Sequence, residues 1–581
     1  MFEYPMHPTL NPQQTAAVAY TGSQLLLGAA GSGKTAVLVE KAASLIAAGM
    51  PAHDIAVTTF AARTIQALRL KLAGRVGQQA PRLKVETLLE LARAQLAAAG
   101  QQLDFASNNR MREIIREVMA EAGFAGTLGE AEELLHRYKS LAKKVEDDAP
   151  HITLYHAYKQ RLEDLRLHDR NDILRRHVLG MQSGTVAPVP VSHLLVDNLQ
   201  DATELQLAWL KHHLAAGKTL VMAGNDDLTA YTPNGAQGAQ GLHAVAEWDG
   251  VTKTVFTDTY RIPATLDAPL EAVAAKLEHR IAKPHIPHNG YAATLTVQGF
   301  AAAADEHVFL LAKARELAGA AAQSVGVVTR TDYHANLLTH LLRKQGFNPA
   351  SYARLIWEDP AAQQVLALLY VLLNASSTEQ LLTVFAAFGT DAATCARLHQ
   401  GGLSAENWLP RQAPLPHVAD VPATQHAAIA TTHRLLVGAW QVLQAKTLAP
   451  REVFKGLLED LLAHQPEDTH PTMLLAADML LSLSGKLADI LPRVVAETMP
   501  DMSAPLVVAP VREVRNLEFT TLIMPHAHAD HWPRPASGAV PADADHERHL
   551  FYLALSRTRG DILITHHAGL SHLVEELQGY L

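Results

Sequence analysis

Gly28-Ala29-Ala30-Gly31-Ser32-Gly33-Lys34-Thr35 is a complete G-x-x-x-x-G-K-T run, a residue pattern that binds a phosphate chain. Gly28, Gly31 and Gly33 let backbone amides converge on a β-phosphate, with Ser32 in the same cradle. Lys34 reaches the β/γ oxygens, and the Thr35 hydroxyl can hold Mg2+. Such a loop works only between a strand and a helix. Residues 24–27 supply a short apolar strand, and residues 34–48 have helical periodicity with the first turn at the glycines. A nucleotide pocket is therefore expected.

The rest of the chain sets the frame for that pocket. With 581 residues and an ordinary apolar share, the protein has interior for several cores and is expected to be multi-domain. The single cysteine, Cys395, excludes a disulfide scaffold, a Cys-rich zinc module and a four-cysteine iron–sulfur cluster. No secretory leader pattern opens the chain, and its longest apolar stretch, residues 365–373, is too short to span a bilayer, so cytoplasmic residence without a membrane partner is expected. The formal charge of −9 argues against a protein that coats nucleic acid non-specifically, though a local basic groove can coexist with it. Among 31 histidines the densest group is His526, His528 and His531 beside Asp530. His-x-His can present two imidazoles on one side of a strand, but a loop of solvated histidines is the expectation and no metal is assigned there.

Short strand-like runs alternate with long helical ones. Strands are expected at residues 55–59, 193–197, 219–223, 254–256, 325–329, 506–509, 521–524 and 562–565. This is the alternation of doubly wound α/β layers. Two stretches, roughly 95–185 and 375–500, read as almost wholly helical insertions, and Pro-rich segments at 187–190 and 410–422 mark joints.

Taken in order, the motifs resemble those of the superfamily 1 UvrD/Rep-type DNA helicases. Leu10-Asn11-Pro12-Gln13-Gln14 is similar to the Q motif, with Gln14 in the adenine-reading place. Ala56-Val57-Thr58-Thr59-Phe60 resembles motif Ia, and Asp197-Asn198-Leu199-Gln200 sits where the family has an Asp-Glu-x-Gln box. Gly224-Asn225-Asp226-Asp227-Leu228-Thr229-Ala230-Tyr231 falls on motif III, Thr259-Tyr260-Arg261 on motif IV, and Leu517-Glu518-Phe519 on the end of motif V. Glu547-Arg548 through Tyr552 to Ser556-Arg557-Thr558 resembles motif VI.

The resemblance implies two RecA-like doubly wound parallel-sheet cores with helical insertions: residues 1–95 and 186–265 form the ATP-binding core, with 96–185 inserted, and 266–380 and 501–581 form the second, with a reduced insertion at 381–500. It implies ATP and Mg2+ as cofactors. Tyr260 would stack on the adenine, Glu518 would join the nucleotide site, Arg261 and Arg557 would approach the γ-phosphate, and Thr35 and Asp197 would carry the Mg2+. Lys34, Asp197, Arg261 and Arg557 are the expected catalytic set.

The chain departs from the family at the hydrolytic step. Asn198 stands in place of the glutamate that would take a proton from the attacking water, and Leu228 in place of the glutamine that senses the γ-phosphate. The strand-binding motifs are eroded as well, leaving Phe60, Arg63, Tyr231, Arg512 and Arg515 as contacts for single-stranded DNA, held weakly. Two readings stay open. In one the chain binds ATP without efficient turnover, a pseudo-helicase acting as a nucleotide-gated clamp or scaffold in DNA repair, recombination or defence, with a helicase, nuclease or other protein as partner. In the other it is an active ATP-dependent 3′–5′ helicase or translocase in which another acid, Asp226 or Asp227, compensates.

Overall fold

The computed structural model describes residues 9–101, 103–319, 324–406, 408, 415, 421–483, 504–533 and 543–581. Its strands, in chain order, are β1 (Ser23–Gly28), β2 (Ile55–Thr58), β3 (Lys84–Val85), β4 (His193–Val196), β5 (Thr219–Gly224), β6 (Val251–Phe256), β7 (Asp258–Pro263), β8 (Ile286–Asn289), β9 (Leu295–Gly299), β10 (Val325–Thr329), β11 (Ala350–Ser351), β12 (Leu506–Pro510), β13 (Phe519–Met524) and β14 (Thr558–His566). The chain divides into two compact units, Met1–Arg330 with Pro505–Leu581, and Thr331–Ala504.

The first unit holds two parallel sheets. One has the order β3-β2-β4-β5-β1-β6, and in the other the strands of this unit run β12-β10-β13-β14-β9. Central strands of such sheets are covered on both faces and so read as nearly continuous apolar runs. Strand β1 is an example: Leu25 and Leu27 enter one core cluster with Leu194, Leu220 and Met222, while Leu26 enters another with Val37, Leu38 and Leu195. The expected doubly wound α/β class is what the chain adopts. In the first sheet, the registers Leu27↔Gly224 and Val196↔Met222 bring Gly28, Asp197 and Asn225 to the carboxyl edge, where open α/β sheets bind ligands.

Between the two sheets runs a small parallel ribbon, β7 with β8. It carries Tyr260 and Arg261. The inserted helical segment contains Asn108–Ala122, Leu128–Lys139, Ile152–Leu165 and Arg170–Ser183, the first three packed on Ile114, Val118, Leu134, Leu154 and Tyr158. Capping boxes start two of these helices, from Thr127 with Glu130 and from Asp169 with Asp172.

The second unit is helical apart from β11 among its described residues. Its central helix, Pro360–Leu372, is apolar nearly all round and is the core element on which Phe385, Phe454, Leu457 and Met473 pack. Most of the expected joint at 410–422 lies outside the described residues.

Candidate functional site

The phosphate loop leaves β1 at Gly28 and enters the helix Lys34–Ala47 at Gly33, whose φ of 79° puts it in the left-handed region. No side chain caps this helix, so the amides of its first turn are available to an anion. The glycines are dictated by close approach as much as by torsion. A Cβ on Gly31 would lie 2.6 Å from the Arg261 Cβ, and one on Gly33 would lie 2.4 Å from Gln14 Nε2. Lys34 folds back over its own loop, its Nζ donating to Gly28 O at 2.7 Å, Ala29 O at 2.9 Å and Ser32 Oγ at 3.0 Å. Burial pushes the Lys34 ammonium down to about 7, opposed by the nearby Asp197 carboxylate. Thr35 Oγ1 donates to Asp197 Oδ2 at 2.8 Å. A hydroxyl and a carboxylate are hard oxygens of the kind that Mg2+ takes as ligands.

Gln14 latches the loop from the neighbouring helix Pro12–Ala19. Its Nε2 donates to Ser32 O at 3.0 Å, while its Oε1 accepts from Asn11 N at 3.0 Å in a capping box. Its carboxamide is thus engaged with protein at both ends, and its place is under the phosphate loop. Tyr260, 40% exposed, stacks on His288 at 5.3 Å and 21°, and its backbone N donates to Gly31 O at 3.0 Å. A flat, solvent-facing ring beside the loop suits a base.

The cations expected at the γ-phosphate are differently engaged. Arg261 is paired with Glu518 (Nε to Oε1, 2.8 Å), which also takes Arg559 Nε at 2.5 Å. Burial would raise the Glu518 carboxyl, but the two guanidiniums overcome it and hold the group at about 2. Arg557, 2% exposed, donates only to neutral oxygens, Leu553 O at 3.2 Å, Ser556 Oγ at 2.8 Å and Arg515 O at 2.5 Å. Among the described residues no carboxylate pairs with it. Burial and the neighbouring Arg261 both act against its charge, with Glu518 opposing them. A buried cation held beside another cation is a demand for an anion.

The hydrolytic corner is built around Asp197, Asn198 and the motif III turn. Asn198 has φ 59°, a left-handed conformation that asparagine tolerates better than most residues, and its N–H donates to Asp197 Oδ1 at 3.0 Å. Gln200 Oε1 receives Asn225 N at 3.0 Å, tying the ends of β4 and β5. The two acids next in line are fully engaged. Asp226 accepts from Lys283 Nζ at 2.5 Å and Ile281 N at 2.7 Å. Asp227 accepts from Arg280 Nε at 2.8 Å and Lys283 Nζ at 3.0 Å. Burial would raise the Asp227 carboxyl, and Lys283 and Arg280 more than reverse that. Leu228, 8% exposed, offers only its carbonyl, which Arg515 takes at 3.2 Å.

The expected strand contacts are mostly inward-facing. Arg515 is buried and ion-paired with Asp201, its Nη2 to Oδ1 distance being 3.0 Å, and its guanidinium lies over the Tyr231 ring at 5.1 Å. Arg512 contacts Glu133 at 3.2 Å and His546 at 3.2 Å. Phe60 is half-buried against the first sheet's core. Arg63 lies in the helix Ala62–Val76, with its side chain outside the described residues.

Several participants escaped the sequence reading. Arg559 sits two residues after Arg557 and shares Glu518 with Arg261, a spacing that could have flagged it. Lys71, from the helix Ala62–Val76, feels Glu518 and Asp197 at the phosphate site, although burial lowers its ammonium overall. Arg280 and Lys283 were invisible because they lie more than fifty positions from the acids they neutralise.

Comparison with known proteins agrees with this layout. Residues 10–242 match the UvrD/REP helicase N-terminal domain. The chain is 27% identical over 262 residues to the ATP-dependent DNA helicase UvrD1 of Mycobacterium tuberculosis, covering 39% of this chain and 34% of that protein. It is 24% identical over 312 residues to the ATP-dependent DNA helicase Rep of Escherichia coli, covering 50% of this chain and 46% of Rep, and 26% identical over 302 residues to DNA helicase II of the same organism, covering 47% and 41%. The chain thus spans between a third and a half of the length of these curated relatives. No helix among the described residues is long and apolar enough to cross a membrane. Over residues 10–242, which carry the G-x-x-x-x-G-K-T loop and most of the first parallel sheet, the chain is similar to the N-terminal domain of UvrD/Rep-type helicases.

Proposed function

We propose that this protein binds ATP and Mg2+ between its two parallel-sheet cores and hydrolyses the nucleotide poorly, so that ATP acts as a clamp rather than a fuel. Lys34 and the loop amides would hold the β- and γ-phosphates, Thr35 and Asp197 the Mg2+, Tyr260 the base, and Arg261 and Arg557 the γ-phosphate. The metal would neutralise phosphate oxygens; the protein's part is to position them.

The observation that carries the reading is the state of Asp226 and Asp227. Asn198 has no basic oxygen for a proton, and the two acids that could replace a glutamate are saturated by Lys283, Arg280 and a backbone amide. Loss of a general base costs on the order of 10²- to 10⁴-fold in rate. Single-stranded DNA would be held weakly, since Arg515 and Arg512 are already paired with carboxylates. A clamp or scaffold working beside another helicase or nuclease fits these features.

Steady-state ATP turnover with and without single-stranded DNA, alongside equilibrium ATP binding, tests this. Saturable binding with turnover at least about 100-fold below the ordinary enzyme median of about 10 s⁻¹ is expected. Turnover near that median would make the protein a motor.

A further inference from the structure

The second sheet carries a second candidate site at the edge remote from the nucleotide. Glu306, His526 and His567 each offer a ligand atom, and these atoms all lie within 4.8 Å of one another. They come from three elements: the first turn of the helix Ala303–Ala318, the residue two past β13, and the residue after β14. Glu306 and His526 are 0% and 1% exposed, so this is no patch of solvated surface acids. The expectation of solvated histidines over 526–531 is corrected at His526.

The carboxylate is the organising group. Glu306 Oε1 accepts from His526 N at 2.8 Å and from Thr565 Oγ1 at 2.5 Å, and Oε2 contacts His567 Nδ1. These bonds fix its orientation, as outer-shell bonds do for metal-bound carboxylates. A fourth donor stands next to it: His307 Nε2 lies 3.0 Å from His526 Nε2. Two imidazole nitrogens on one tetrahedral cation are about 3.3 Å apart, given metal–nitrogen bonds of about 2.0–2.1 Å. An independent sign comes from His528, whose ring centroid is 4.7 Å from that of His567 and whose Nδ1 is buried with no hydrogen-bond partner among the described residues. A buried polar atom without a partner calls for one, and an ion can supply it.

We propose that Glu306, His526 and His567 bind a divalent transition-metal ion of the zinc class, with His307 placed as a fourth ligand. Imidazole and carboxylate suit such an ion, whereas Mg2+ and Ca2+ prefer oxygen alone. The ion would cross-link helix Ala303–Ala318 to the carboxyl ends of β13 and β14, a structural pin. Glu518 and Arg557 mark the opposite ends of those strands, about 25–35 Å away at the strand rise per residue. Metal and nucleotide therefore bind independently.

The test is a titration of untagged full-length protein, first dialysed against a chelator, with Zn2+ alone, followed by calorimetry and by melting temperature. One tight equivalent and a raised melting temperature are expected, both unchanged in Lys34→Ala. Because losing even an outer-shell partner weakens metal affinity about 10- to 100-fold, His567→Gln should cost about 100-fold or more. His526→Asn, which keeps a residue tolerant of the left-handed φ of 58°, should do the same. His53→Ala, whose side chain is 70% exposed, controls for the other histidines and should change nothing. Absence of a saturable equivalent, or one that His567→Gln and His526→Asn leave intact, overturns the proposal.

Discussion

At the scale of single residues, the protein's chemistry turns on which charges are already spoken for. Asn198 is the residue a left-handed turn prefers, so restoring a carboxylate there sets catalysis against backbone strain. Asn198→Glu is expected to lower stability by about 1 kcal/mol, read by denaturant melting, because a longer side chain at φ 59° loses the tolerance asparagine has. It should raise ATP turnover little by itself, while Asn198→Glu with Leu228→Gln should raise it by more than the product of the two single effects. Simple multiplicative gains would mean the two positions were lost separately. Lys34 gives a second prediction. Free, its ammonium sits at about 7; a bound triphosphate favours the charged form and raises it. ATP affinity should thus fall by up to about tenfold per unit above pH 7, as protonating Lys34 becomes part of binding. The phosphate's own titration, near pH 6, lies below that window. Calorimetry at pH 7, 8 and 9 checks this, and Lys34→Arg, charged throughout, should flatten the profile. A flat native profile would place the lysine's titration elsewhere.

At the scale of elements, the same distinction explains what the sequence revealed and what it concealed. The phosphate loop was legible because its chemistry is local: eight consecutive residues between an apolar strand and a helix. Strands β4, β5 and β10 were legible because a strand covered on both faces reads as a nearly continuous apolar run. Strands β8 and β9 were not, since their residues are alternately exposed and half-buried and include His288, Asn289 and Gln298. Asp226 and Asp227 looked like available acids because nothing near them in sequence announces Lys283 and Arg280. The histidine group at 526–531 looked solvated because Glu306 lies 220 positions away. The Gln14 latch shows the element-level consequence. Gly33→Ala should abolish measurable ATP binding, since its Cβ would meet Gln14 Nε2 at 2.4 Å and the backbone has φ 79°. Adding Gln14→Ala removes the steric part but not the torsional one, about 1–2 kcal/mol, so the double variant should recover binding only to within about 5- to 30-fold of native. Full recovery would show that torsion at Gly33 is unimportant.

For the whole first unit, the question is whether one ligand reads both sheets. Lys34 and Thr35 follow β1 of one sheet, while Arg557 precedes β14 of the other, and the ribbon between them brings Arg261 against Gly31. Arg557 has only neutral oxygens around its guanidinium, so an arriving phosphate supplies the counter-charge that folding left out. A ligand that binds only the native state stabilises it by about 2.7 kcal/mol at 100 times its dissociation constant. ATP with Mg2+ should therefore raise the melting temperature of the native protein, and Lys34→Ala should abolish the rise. Arg557→Ala should shrink it while raising the stability of the ligand-free protein or leaving it unchanged, because the variant removes a buried charge that lacks a carboxylate partner. A smaller shift without any loss of ligand-free stability is what a purely structural arginine could not produce: its loss would lower both melting temperatures together. If both fall, the phosphate is held by the first sheet alone, and the nucleotide clamps nothing.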